Sequence, residues 1–190
     1  MNAIETISYK GHEIGIYYDE CAESPREWDN LSTIYSDSRS YKPDQLDIDD
    51  LMNKIGISEF SGFDDLLKRM KHDYIAYRVC IVDHSCVALS LNRPVPNPYM
   101  GFDSGTFGII AVSKDKVRRE YGVKRITNKI REKVESAFKA ELDSLEKYMN
   151  GEVYGYMVDG GDGDSCWGYY SMDHAIEDAK SIIDCETEAA

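Results

Sequence analysis

The chain has 190 residues, 42% apolar and 11% aromatic, with a formal charge of −13, a composition that excludes a disordered acidic tail. Its length suffices to bury about 70% of the unfolded surface. No apolar run approaches the ~20 residues of a membrane span, the first six residues lack a signal peptide's features, and five irregularly spaced cysteines form no C-x-x-C pair. A reduced protein of the cytoplasm is expected, with no membrane partner.

In chain order, Ile4–Tyr9 and Glu13–Tyr18 alternate apolar and polar residues around Lys10-Gly11 and predict an opening hairpin. Residues 24–30 form a turn, and Leu31–Tyr35 a third short strand. Asp47 is placed to cap a helix with Ile48, Leu51, Met52 and Ile55 on one face, ended by Gly56. Ser61-x-x-Asp64 has the form of a capping box before the stripe Phe63, Leu66, Leu67, Met70. Tyr74–Val82 and Ser85–Leu91 predict a central hairpin turning at Asp83-His84. Pro94, Pro96 and Pro98 exclude a central strand and predict an exposed extended loop, itself a candidate contact element. Thr106–Val112 is a strand, and Ser113 caps a short basic helix that Gly122 stops. The longest helix runs from Thr127 to Met149 and is closed by Gly151. Val153–Val158 and Ser165–Tyr170 flank a glycine-rich turn, and a final amphipathic helix starts near Asp173.

These elements predict an α+β fold with a largely antiparallel sheet, one long amphipathic helix and several short ones. An acidic N-terminal lobe (residues 1–73) and a main domain (residues 74–190) are expected, or one continuous domain. Charge is uneven. Residues 1–73 carry 16 Asp/Glu against 8 Lys/Arg, residues 151–190 carry 10 against 1, and residues 111–150 carry 11 Lys/Arg against 7 acids.

Chemistry-bearing patterns are sparse. Ser165-Cys166-Trp167 resembles the Cys-Trp pair of papain-like proteases, but Cys166 sits in a predicted strand with His174 only eight residues on, and a packed structural cysteine is expected. Asp159, Asp162 and Asp164 lack the ligand order of a calcium loop. His12, His72, His84 and His174 have no metal-ligand spacing. Catalytic residues, metals and cofactors are therefore expected to be none.

Two charged surfaces remain. Asp44, Asp47, Asp49, Asp50, Asp64 and Asp65 are the predicted partner-binding residues. Carboxylates every two or three helical residues advance roughly 3–4.5 Å, comparable to the ~3.4 Å between phosphates on one DNA strand. The alternative surface is Lys116, Arg118, Arg119, Lys124 and Arg125, a basic helix and turn with the outline of a helix-turn-helix. Flanking acids oppose direct nucleic-acid binding there, so a basic face offsetting its own acidic neighbours is the preferred reading.

Ser24-Pro25-Arg26-Glu27-Trp28-Asp29-Asn30-Leu31, Tyr121-Gly122-Val123-Lys124-Arg125, Gly151-Glu152-Val153-Tyr154-Gly155-Tyr156 and Ser165-Cys166-Trp167-Gly168-Tyr169-Tyr170 resemble a family of small acidic proteins of bacteriophages and mobile elements. The chain departs from the pattern at Ser32-Thr33-Ile34, where a glycine-containing turn is replaced. The resemblance implies an accessory, non-enzymatic role: an anti-CRISPR or antirestriction inhibitor whose partner is a host defence protein or nuclease complex with a basic groove.

Overall fold

The structure is a computed structural model and describes residues 2–93, 103–161 and 163–189, with the side chains of 186–189 excepted. The predicted Pro94–Pro98 loop lies outside the described residues, as does Asp162. Two compact units emerge, one built from Met1–Ser24 and Lys147–Ala190, the other from Pro25–Glu146. The boundary expected at 73/74 falls inside the second unit, because the strand that begins at Tyr74 is central to a sheet that also contains residues 33–36. The α+β class is as expected, but the strands form two four-stranded antiparallel sheets.

In the first unit, β1 (Glu5–Tyr9) and β2 (His12–Tyr18) form the predicted hairpin. Lys10 and Gly11 both take positive φ, the geometry whose twist matches that of the flanking strands. β2 then pairs with β7 (Tyr154–Val158), and β7 with β8 (Ser165–Tyr169). α5 (Met172–Ala189) covers one face. Its Ala175, Ala179 and Ile183, spaced by four residues, pack on Ile14, Ile16, Tyr156 and Val158. The opposite face carries Gly15 and Gly155, with Tyr17 and Trp167 laid over them. A Cβ at Gly155 would stand 2.1 Å from Trp167 Cε3, so that strand position must be bare for the indole to lie on it.

The second unit is a sheet of order β3 (Thr33–Ser36), β6 (Ser104–Ser113), β4 (Tyr74–Asp83), β5 (Val87–Leu91). The Tyr74–Leu91 hairpin forms, but only its first strand is central; β5 is an edge. α1 (Ile48–Ile55) and α2 (Phe63–Met70) cover one face, where Ile48, Leu51, Met52, Leu66 and Met70 meet Tyr35, Ile109 and Ala111. α3 (Lys114–Glu120) follows β6. α4 (Asn128–Met149) lies on the other face, burying Val134, Phe138, Leu142 and Leu145, with Phe138 edge-on to Tyr77 at 6.0 Å.

Capping tests the local readings. Asp47 caps α1 and receives the Asp50 N–H at 3.1 Å, while Asp50 reaches back to the Asp47 N–H at 2.9 Å. The Ser61 capping box does not form. Gly62 is the N-cap of α2 and offers no side chain, leaving Asp64 and Asp65 to favour the helix start through its dipole.

Candidate interaction surfaces

The six predicted partner-binding carboxylates do not make one outward face. Asp44 points inward, its side chain 13% exposed, where the 3%-exposed Arg26 guanidinium grips it through Nε at 2.6 Å and Nη2 at 3.0 Å. The same guanidinium donates to Glu141 at 3.0 Å and to the Ser32 carbonyl at 3.0 Å. Asp44 also receives the Ile34 N–H at 2.6 Å, and Glu141 receives the Leu31 N–H at 2.8 Å and the Ser32 hydroxyl. Burial alone would depress the guanidinium's pKa; the bonds and charges of Asp44 and Glu141 outweigh it and raise the pKa. The assembly fastens residues 26–44 to α4 and is structural.

Four of the remaining five are spent locally. Asp47 and Asp50 cap α1, and Asp47 also meets Lys42 at 3.1 Å. The Asp50 N–H, then Lys42, hold the Asp47 carboxyl below its ordinary range. Reversing Asp47 and Asp50 to lysine would therefore strip the helix of its cap. Asp64 pairs with Arg78 at 2.9 Å and Asp65 with Arg69 at 2.7 Å. Asp49 is exposed beside a cavity of about 350 Å³ whose walls mix Asp37, Asp47, Arg39 and Lys42.

Charge is segregated between the units in a way the linear windows conceal. Met1–Ser24 with Lys147–Ala190 holds 15 Asp/Glu against 3 Lys/Arg, a formal −12; Pro25–Glu146 holds 20 against 19, a formal −1. Nearly all the net charge sits in the smaller unit. By strand register, exposed Glu13, Asp159 and Asp164 gather at one end of its sheet and exposed Glu20 and Glu152 at the other. Asp173 and Glu177 lie one helical turn apart on the exposed side of α5. Two of this unit's acids have close partners: Asp159 meets the His12 ring at 2.8 Å and Asp184 meets Lys10 at 2.9 Å. The signal in the sequence was the scarcity of cations on both sides of a discontinuous unit.

The basic residues divide. Lys116 is drawn onto the Asn30 carbonyl at 2.6 Å, and Arg118 pairs with Asp115 at 2.6 Å. Arg119, Lys124 and Arg125 are exposed and meet no carboxylate among the described residues.

Cys166 is exposed, not packed in the core. It lies near Tyr169, whose hydroxyl, with that of Tyr156 at 3.1 Å, donates to Asp178. Among the described residues no group of three or more His, Cys, Asp or Glu could hold a metal, and no helix is long and apolar enough to cross a membrane.

This tyrosine cluster sets a pH limit. Burial, then the bond to Asp178, pushes Tyr156 up to about 12; burial, then Tyr148 and Asp19, does the same for Tyr170. Tyr169 is raised for reasons like those at Tyr156. Each fold-held phenol outlasts its unfolded counterpart, so its stabilisation is intact below the ordinary value of 10.0 and is lost as pH climbs toward about 12. Tyrosinate absorbance and circular dichroism are expected to change together across that window. Complete ionisation near the ordinary value with an unchanged fold would contradict this.

Compared with known protein families, curated proteins and solved structures, the chain matches none.

Proposed function

We propose that this is a non-enzymatic anti-defence inhibitor of phage type, which blocks a host nuclease, CRISPR or restriction complex by presenting its acidic unit to that partner's nucleic-acid groove. The observation carrying the reading is the formal −12 on Met1–Ser24 and Lys147–Ala190. A dense field of one sign steers association with a cationic groove and repels nucleic acid itself. The contact surface is the exposed set led by Glu152, Asp173 and Glu177, in place of the helix-capping and paired acids of residues 44–65.

The test is inhibition of DNA cleavage by a panel of purified restriction and CRISPR nucleases over a salt titration. Inhibition of at least one is expected, weakening steeply as the Debye length falls from ~10 Å at 0.1 M to ~3 Å at 1 M. Inhibition indifferent to salt, or none across the panel, overturns the reading.

Arg119, Lys124 and Arg125, exposed and meeting no carboxylate among the described residues, favour a second reading, a nucleic-acid-binding regulator. Gel shifts with duplex and single-stranded oligonucleotides separate the two, because the decoy retards neither.

A further inference from the structure

The two edges of the sheet in Pro25–Glu146 are finished differently. At β3 the chain seals its own edge: the Ile34 N–H donates to Asp44 at 2.6 Å and the Ser36 N–H to the Leu46 carbonyl at 3.0 Å. Asp44 is itself neutralised by Arg26. At β5 the Asn92 N–H donates inward to the Arg78 carbonyl at 2.8 Å. The two-residue alternation of an antiparallel ladder then turns the backbone groups of Val87, Leu89 and Leu91 outward.

Among the described residues, no strand pairs with that outer side. The Leu89 N–H donates to Glu146 at 2.6 Å, and the Leu91 carbonyl accepts from Arg93 at 2.8 Å. The Leu89 carbonyl and the Leu91 N–H have no partner among the described residues. A cavity of about 550 Å³ lies between this edge and α4, with Leu142 on its wall. Its charged residues are Glu135, Asp143, Glu146 and Lys139, and the lysine is taken by Glu135 at 2.8 Å. Glu146 meets no cation among the described residues.

We propose that the β5 edge is a strand-addition site for an extended, basic segment of a partner protein. The incoming backbone bonds the Leu89 carbonyl and the Leu91 N–H and accepts the Leu89 N–H as Glu146 leaves it, continuing the sheet. Every second side chain faces Leu142, and a lysine or arginine of the segment engages Glu146 as it swings from the Leu89 N–H. An unprotected edge is an aggregation liability; a carboxylate lodged on it discourages pairing with acidic or neutral strands while admitting a cationic one. All of these residues lie in Pro25–Glu146, so the proposal stands apart from the acidic-unit reading.

The experiment uses the full chain and two end-blocked peptides, one alternating lysine and valine, the other glutamate and valine. Backbone amide resonances are followed during titration. The lysine peptide is expected to shift the Leu89 and Leu91 amides and slow their hydrogen exchange, while the glutamate peptide leaves them unmoved. Glu146→Lys is expected to weaken the lysine peptide about tenfold, and Glu146→Gln less. Three outcomes overturn the proposal. The first is unmoved Leu89 and Leu91 amides, including shifts confined to Met1–Ser24 and Lys147–Ala190. The second is equal binding of both peptides. The third is concentration-dependent protection of β5 without peptide, which would assign the edge to a second copy of the chain.

Discussion

Arg26→Ala is expected to cost about 3–5 kcal/mol, the penalty for removing one member of a buried ionic group, and so to consume much of the 5–15 kcal/mol that holds a typical domain. Two carboxylates converge on this guanidinium, and the substitution leaves both Asp44 and Glu141 charged, little exposed and without their cation. Arg26→Lys is expected to recover only part of the loss. An ammonium is a point charge, whereas the guanidinium grips Asp44 in a fork and still reaches Glu141 and the Ser32 carbonyl. The decisive comparison is the triple variant Arg26→Met, Asp44→Asn, Glu141→Gln. It removes all three charges but keeps carbonyl oxygens for the Ile34, Leu31 and Ser32 N–H groups. Denaturant unfolding should place it well above Arg26→Ala, because the cost lies in stranded charge more than in lost attraction. A single variant that melts with the parent would mean the cluster is not what fastens residues 26–44 to α4.

That cluster also shows where the sequence stops being legible. The α1 helix could be read to the residue, because cap, apolar stripe and terminating Gly56 lie within ten positions and act on one another directly. The opening hairpin was equally local. The β2–β7 pairing joins strands that about 135 residues separate, and no periodicity announces a partner at that distance. This pairing creates the discontinuous unit, so the segregation of charge stayed hidden behind windows drawn along the chain. Asp44 read as one more surface acid because its cation precedes it by 18 residues and its fellow carboxylate follows by nearly 100. One sign was available: Glu141 falls beside Phe138, Leu142 and Leu145 on the apolar stripe of α4, where an acid needs a buried partner. Two residues of the motifs singled out in the sequence now have physical explanations. Arg26 anchors its surroundings, and Gly155 is bare so that Trp167 can cover it.

The reversal Glu152→Lys, Asp173→Lys, Glu177→Lys is expected to raise the half-inhibitory concentration against a susceptible nuclease about 100-fold. An exposed ion pair contributes up to about 1 kcal/mol, and reversing a charge replaces attraction by repulsion, so three sites together approach 3 kcal/mol. The loss should appear mainly in the association rate, since a field acts before contact is made. These three acids are exposed; Asp173 stands in the first turn of α5, where its reversal costs about 1 kcal/mol of dipole stabilisation, so the fold should survive, as circular dichroism would verify. The paired reversal Asp64→Lys, Asp65→Lys is the control. Both residues already face arginines of a nearly neutral unit, and their change should leave inhibition within about threefold. The units are then distinguishable by a single ordering of variants. If the control abolishes inhibition while the acidic-unit triple does not, the contact belongs to Pro25–Glu146 and the −12 unit serves another end, such as keeping the chain soluble.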